Sequence, residues 1–170
     1  AVGPFDVETV EATVTRGERD TPVVAYLPPG GPHPLVIFAP GFQIPSAAYA
    51  PLVERLASHG FVAIRADPDP GELFDPGDPL AGPTTDHVAM QNDLRAVLDW
   101  ATGEAPFAGR VDGSRVGVTG HSLGGKLSTM VTIADARVGA LLGIDPVDGG
   151  GLAPTEERPD VVPSETGGIT

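Results

Sequence analysis

One serine in this sequence has the neighbours of a nucleophile. Residues 120–124 read Gly-His-Ser-Leu-Gly, a G-x-S-x-G motif with a predicted strand before it and a predicted helix after it. Such a turn holds the serine in a strained backbone conformation, and Gly120 and Gly124 remove side chains that would collide there. The pattern predicts that Ser122 is the nucleophile of an acyl-transfer reaction. An ordinary structural serine is the alternative.

Two backbone N–H groups are candidates for stabilising an oxyanion. Leu123 follows the serine at the predicted amino terminus of a helix, where N–H groups point toward developing negative charge. A second donor is expected from the loop after an earlier strand, here residues 40–43, Pro-Gly-Phe-Gln. We predict that the Phe42 N–H donates and that the Phe42 ring lines an acyl pocket. The alternative is a plain strand-to-helix turn with a core phenylalanine.

These groups need a sheet that brings several strand ends together. Apolar runs bounded by Pro or Gly are typical of strands buried on both faces, and apolar stripes at helical spacing predict the helices between them. Their alternation predicts a doubly wound, mostly parallel α/β sheet with an antiparallel N-terminal edge. The predicted strands are 7–15, 22–27, 35–39, 61–64, 115–119 and 138–144, and the predicted helices are 47–58, 85–101 and 122–133.

Two further segments are predicted as loops. Residues 66–85 are rich in Pro, Gly and Asp and are long for a compact domain unless they serve a site. Their carboxylates suggest a calcium site or a substrate-facing lid, but the spacing is not that of an EF-hand, and we favour solvated turns. Residues 149–170 have no long apolar run. The carboxylates of the first loop are Asp67, Asp69, Glu72, Asp75 and Asp78.

Composition narrows the function classes. The 170 residues include 10 Lys and Arg against 23 Asp and Glu, for a formal net charge of −13, which argues against nucleic acid as a partner. No apolar run approaches the ~18–20 residues of a membrane span. Without cysteine there is no disulfide, thiolate metal site or cysteine nucleophile. The 41% hydrophobic content is enough for one core, so we predict a single domain over residues 1–170.

Four segments resemble the α/β-hydrolase superfamily, and within it the chlorophyllase-like and bacterial polyester-hydrolase (cutinase-like) groups. They are residues 39–42 (APGF), 56–62 (LASHGFV), 120–126 (GHSLGGK) and 142–149 (LGIDPVDG). The last looks chlorophyllase-like, whereas the Pro-Gly-Phe segment looks closer to polyester hydrolases. The resemblance implies an α/β-hydrolase fold and a serine carboxylic ester hydrolase that uses no metal and no organic cofactor.

The two groups place the acid of the catalytic triad differently. In chlorophyllase-like proteins it follows the strand after the nucleophile's helix, which corresponds here to Asp145. In polyester hydrolases it follows the next strand, which would lie beyond Thr170. We predict Asp145, with Asp148 as the second choice. The alternative for Asp145 is a turn cap before Pro146.

The general base is missing from the expected place. The superfamily order is Ser, acid, His, and no histidine follows His121. We expect His121 to pack, and His33 and His59 to lie at the opposite end of the sheet. His87 opens a helix near the long loop but precedes Ser122. We therefore hypothesise a partial α/β-hydrolase domain that lacks its last strands and its catalytic histidine.

Our prediction is a serine esterase that forms an acyl-enzyme on Ser122 with a small-molecule or polymeric ester. The competing hypothesis is a non-catalytic hydrolase-fold binding or scaffold protein, which the absent histidine favours. Acyl transfer to an alcohol instead of to water would use the same residues. The sequence slightly favours secretion over other locations and predicts no oligomeric state.

Overall fold

The computed structural model describes residues 3–71, 84–148 and 154–161. Its sheet has six strands in the order β1-β2-β4-β3-β5-β6. The pairs β1/β2 and β2/β4 are antiparallel, and the pairs β4/β3, β3/β5 and β5/β6 are parallel. The predicted antiparallel N-terminal edge on a mostly parallel sheet is thus confirmed. The strands are β1 Glu8–Arg16, β2 Arg19–Leu27, β3 His33–Ala39, β4 Val62–Ala66, β5 Val111–His121 and β6 Val138–Ile144.

Three α-helices cover the two faces of the sheet, α1 Ala50–Ser58, α2 His87–Gly103 and α3 Leu123–Ala134. Helix α1 packs on one face, where Phe38, Val53 and Ala63 belong to one buried cluster. Helices α2 and α3 pack on the other face, where neighbouring strand residues such as Ile37 turn to the larger cluster. Because successive strand residues point to opposite faces, the apolar runs fill both cores, as a doubly wound fold requires.

Element ends differ from the sequence predictions where proline and capping decide them. The predicted helix 47–58 is a 3-10 turn, Ser46–Tyr49, followed by α1 from Ala50. Pro51 lies in the first turn of α1, where its missing N–H leaves no helical bond unmade. The Asp86 carboxylate caps α2 by accepting a hydrogen bond from the Ala89 N–H at 2.8 Å. Among the apolar residues of the predicted helix 47–58, Leu52 is 39% exposed and so lies off the buried face of α1.

Strand β6 stands at the edge of the described sheet, beside β5. Its residues Leu141 and Leu142 are 42% and 63% exposed, because no described element covers them. The predicted calcium-site or lid residues Glu72, Asp75 and Asp78 lie outside the described residues. Among the helices of the described part, none is long and apolar enough to cross a membrane.

Candidate active site

Ser122 occupies a tight turn between β5 and α3. Its backbone has φ 51° and ψ −117°, a left-handed conformation that a non-glycine residue adopts only under strain. The flanking glycines explain how the turn closes. A Cβ on Gly124 would lie 2.0 Å from the Ala39 carbonyl oxygen, and one on Gly120 would lie 2.3 Å from the Gly124 backbone. The turn therefore has the strand-to-helix geometry of a nucleophile elbow.

The backbone of Ser122 is also tied to the segment that follows β6. The Ser122 N–H donates to the Ile144 carbonyl at 3.0 Å, and the Ser122 carbonyl accepts from the Val147 N–H at 3.2 Å. Leu123 is the first residue of α3, so its N–H has no acceptor within the helix. This leaves a backbone donor beside the serine, at the end of the helix where negative charge is favoured.

The loop at residues 40–45 lies next to this turn because β3 and β5 are parallel neighbours. Ala39 pairs with Gly120 in the register, and a Cβ on Gly41 would be 2.9 Å from His121 Nδ1. Inside the loop the Ile44 N–H donates to the Gly41 carbonyl at 3.1 Å, and Gln43 has a φ of 53°. The loop thus approaches the elbow so closely that a Cβ at position 41 would press against the His121 ring.

Phe42 has both of the environments that the sequence left open. It is half-buried and packs against the larger core cluster, and it also lines a cavity of about 250 Å³. The other walls of this cavity are residues 40–45, Asp67, Pro68, Pro70 and Met90. The cavity is therefore mostly apolar and adjoins the loop that carries the predicted second oxyanion donor.

Tyr49 and His121 form a pair that sequence reasoning missed. The Tyr49 hydroxyl lies 2.7 Å from His121 Nδ1, and the Tyr49 ring also packs on Phe38 with centroids 4.7 Å apart. His121 is half-buried and directly precedes Ser122. The pair joins the 3-10 turn after the loop to the end of β5. The separation of the two residues along the chain left no local pattern that would reveal it.

Asp145 directly follows β6, and its carboxylate accepts no hydrogen bond from a described residue. It is exposed and has a φ of 46°, so the chain turns sharply there. Ile144 pairs with His121 across β6 and β5. Asp145 and Ser122 are the next residues along the two strands, so they follow a pair of register partners. Asp148 is differently occupied, since its Oδ1 accepts from the Val161 N–H at 2.7 Å. Of the two predicted acids, Asp145 is the one with a carboxylate open to a new partner.

The other histidines are separated from the elbow or buried. His33 starts β3, pairs with Val111 at the far end of β5 and lies 3.0 Å from the Pro29 carbonyl through its Nε2. His59 ends α1 just before β4, at the same end of the sheet. His87 begins α2 and is 5% exposed, and its N–H donates to the Glu157 carbonyl.

Lys126 is the second feature that sequence reasoning missed, although it is the one charged residue in the apolar helix α3. Its side chain is fully buried, and Nζ has no hydrogen-bond partner in the described part of the chain. Burial lowers the pKa of Lys126, while the charges of Asp160 and Asp148 oppose the shift. The ammonium group therefore lies beneath the segment that follows β6.

The pKa of His87 is lowered by burial and by nearby positive charge. Burial first, and then the positive charges of Lys126 and Arg158, lower the pKa of His87 from 6.5 to about 4. Between these values the unfolded chain binds more protons than the folded one. The free energy of unfolding is therefore unaffected by His87 above pH 6.5 and decreases as the pH falls to about 4. After allowance for solvent screening, this decrease is about 2 kcal/mol.

Urea unfolding of the wild type and of His87→Asn at pH 7.5 and pH 4 measures this loss. We expect the wild type to lose about 2 kcal/mol more than the variant between the two pH values. Carboxylate titration affects both proteins equally, so the difference isolates His87. Equal losses in the two proteins would contradict the assignment.

No group of three or more metal-ligating side chains is present within residues 3–71, 84–148 and 154–161. The site as described consists of a strained serine, free backbone donors, an open carboxylate and an apolar cavity. These groups correspond to the attacking and oxyanion-stabilising parts of a nucleophilic acyl-transfer site.

Known proteins with similar sequences include chlorophyllases and cutinases. The family model described as Chlorophyllase matches residues 2–168. Chlorophyllase-1 of Arabidopsis thaliana is 28% identical over 130 residues, covering 70% of this chain and 37% of its own length. Cutinase 2 of Thermobifida cellulosilytica is 33% identical over 126 residues, covering 72% of this chain and 44% of its own length. The chain thus spans less than half the length of these relatives.

A solved structure agrees with them on the fold. The ferulic acid esterase from Streptomyces cinnamoneus superposes with a TM-score of 0.64 at 25% identity, covering 81% of this chain and 58% of that one. The α/β-hydrolase fold predicted from the sequence is therefore confirmed, and the similar proteins share ester hydrolysis as their chemistry.

Proposed function

Because this chain belongs to the chlorophyllase family of the α/β-hydrolase superfamily, we propose that it is a serine-dependent carboxylic ester hydrolase. Its relatives are ester hydrolases, which supports the general activity. The strained conformation of Ser122 carries the more specific proposal. Ser122 has a positive φ, and the glycines on either side of it leave no room for a Cβ. Such backbone strain clusters at functional sites, and here it would expose a nucleophile.

In the proposed reaction Ser122 Oγ attacks the ester carbonyl carbon. The Leu123 N–H and the Phe42 N–H donate to the carbonyl oxygen as it becomes negative. The carbon–oxygen bond to the alcohol then breaks, leaving an ester on Ser122, and water later releases the acid. Neither donor has to move during the reaction, because the first turn of α3 fixes one and the loop 40–45 fixes the other.

A proton must leave Ser122 and reach the departing alkoxide. In the superfamily a histidine performs this transfer, and we assign Asp145 to orient it, because its carboxylate is open and lies close to Ser122 in the register. That histidine is not among the described residues near the elbow, since His121 is engaged by Tyr49. The residues of this chain thus account for attack and oxyanion stabilisation.

The cavity beside the loop favours a neutral, apolar group on the ester. Its walls are largely proline, phenylalanine and methionine. The formal charge of −13 further disfavours anionic substrates. Small-molecule and polymeric esters can both carry such a group. We further propose that residues 1–170 belong to a single hydrolase domain.

The test is release of p-nitrophenol from p-nitrophenyl butyrate by the protein as its source makes it. We expect saturable turnover that an organophosphonate abolishes. A second candidate function is a binding protein with the same fold, which would hold an ester in the cavity beside Phe42. Saturable binding of the ester without turnover would support that second function and overturn the esterase.

A further inference from the structure

The far end of the loop 40–45 is held by a single carboxylate. Ser46 follows the loop and is fully buried. Its N–H donates to Asp67 Oδ1 at 2.6 Å, and its hydroxyl donates to Asp67 Oδ2 at 2.5 Å. Both oxygens of Asp67 thus bind one residue, in the geometry by which a carboxylate defines position as well as distance.

The carboxylate itself is fixed to the sheet. Asp67 directly follows β4, and its N–H donates to the Pro22 carbonyl at 2.9 Å. Arg65, the last residue but one of β4, donates through Nη1 to the Ser46 hydroxyl at 2.7 Å and through Nε to the Tyr26 hydroxyl at 3.2 Å. We call Ser46, Asp67 and Arg65 the Ser46 clamp. It joins the loop to two central strands of the sheet.

The clamp and the elbow hold the loop from opposite ends. Ala39 lies in β3 beside Gly120 at one end, and Ser46 lies on Asp67 at the other. Phe42 is in between, close to Gln43, whose positive φ stores strain. A short strained loop keeps one shape only while both ends are held. The position of the Phe42 N–H therefore depends on the clamp, although no clamp residue is adjacent to Ser122 in the sequence.

We propose that Asp67 is a positioning residue that holds the Phe42 N–H where the oxyanion forms. This inference rests on the proposed esterase function. Oxyanion donors act by being in place before charge develops, and displacement by about 1 Å can lower the rate by about 10²-fold. Asp67 touches neither the nucleophile nor the reacting carbonyl. Its effect is transmitted through Ser46 and the three loop residues between Ser46 and Phe42.

The consequence for kinetics is specific. The oxyanion bears its full charge only in the transition state, so a misplaced donor weakens transition-state binding and leaves ester binding almost unchanged. Asp67→Asn keeps the size of the side chain but replaces one acceptor with an amide donor facing Ser46. We expect kcat for p-nitrophenyl butyrate to fall about 10- to 100-fold, with KM within about twofold of the wild type.

Asp69→Asn is the matched control. It makes the same chemical change two residues away, at an exposed carboxylate that accepts only from the Gly71 N–H among described residues. We expect its kcat and KM to equal those of the wild type. Ser46→Ala, which removes the hydroxyl but keeps the N–H bond to Asp67, should give an intermediate loss of kcat.

Hydrogen exchange at residues 41–46 gives a readout that needs no turnover. We expect exchange there to be at least tenfold faster in Asp67→Asn than in the wild type, with the core strands unchanged. Unchanged exchange, or a kcat within twofold of the wild type, would overturn the proposal. A parallel loss of kcat, KM and thermal midpoint would show a purely structural role and also overturn it.

The failure of this inference is distinguishable from failure of the proposed function. If the wild type does not turn over ester, the esterase and the catalytic role of Asp67 both fall, whatever exchange shows. If the wild type is active and Asp67→Asn remains equally active, only the clamp proposal falls.

Discussion

Replacing Ser122 with alanine is expected to lower kcat/KM for p-nitrophenyl butyrate by about 10³-fold or more. The change removes only the attacking oxygen. Alanine and serine meet the same strain at a φ of 51°, and no described side chain depends on the Ser122 hydroxyl. The thermal midpoint should therefore remain close to that of the wild type. A rate loss accompanied by unfolding would leave the nucleophile unassigned and contradict this expectation.

Asp145→Asn should give a loss of similar size for a related reason. The neutral amide cannot stabilise the imidazolium that forms when Ser122 is deprotonated, and it disfavours the required histidine tautomer. Because a nucleophile and the acid of its triad act as a unit, the double variant Ser122→Ala/Asp145→Asn should be no slower than Ser122→Ala alone. Full activity of Asp145→Asn would remove Asp145 from the mechanism.

Two controls accompany these variants. Ser114→Ala removes a hydroxyl from the exposed part of β5, where its partner is Asp112, and should leave kcat/KM unchanged. Asp148→Asn should act on stability more than on rate, because the Asp148 carboxylate holds the Val161 N–H. A larger rate loss from Asp148→Asn than from Asp145→Asn would exchange the roles of the two carboxylates.

Gly124→Ala is expected to produce the largest loss of stability, at least about 3 kcal/mol of unfolding free energy. The new Cβ would lie 2.0 Å from the Ala39 carbonyl oxygen and 2.4 Å from its carbon. Both belong to β3, a central strand, so relief requires α3 to move away from the sheet. That movement would also displace the Leu123 N–H.

Urea unfolding of Gly124→Ala beside Gly109→Ala measures this effect. Gly109 lies in the 3-10 turn Ala108–Arg110, and a Cβ there meets nothing within 4 Å. We expect Gly109→Ala to change the unfolding free energy by less than about 0.5 kcal/mol. If Gly124→Ala proves as stable as Gly109→Ala, the close contact between α3 and β3 is wrong.

The sequence predicted those parts of the fold that depend on local pattern. Apolar runs such as 35–39 mark β3 because a strand buried on both faces admits few polar residues. The elbow was equally visible, because its serine and two glycines stand within five residues of sequence, although the atoms that exclude a Cβ at Gly124 belong to Ala39 of β3. The start of α1 was less predictable, because Ala47 and Ala48 suit either a 3-10 turn or an α-helix.

Contacts between distant residues could not be predicted in this way. Ser46 and Asp67 are 21 positions apart, and Tyr49 and His121 are 72 apart. Each pair meets only because β4 and β5 flank β3 in the sheet. Their residue types are also common in turns and cores, so no motif distinguishes them. The burial of Lys126 likewise follows from the packing around α3.

The assignments of Phe42, Leu123 and Asp145 remain predictions about chemistry. Their positions agree with the proposed roles: one donor begins α3, one lies in the loop beside Gly41, and the carboxylate follows β6. What connects them is the serine at the centre. Every one of these proposed roles therefore depends on the reactivity of Ser122.

The most direct measurement is mass spectrometry of the protein after reaction with p-nitrophenyl phosphonate, with peptide mapping of the adduct. We expect one adduct, located on Ser122, formed in step with the loss of ester hydrolysis and absent from Ser122→Ala. Ester hydrolysis that continues unchanged without an adduct on Ser122, or an adduct on another residue that abolishes hydrolysis, would show that Ser122 is not the nucleophile.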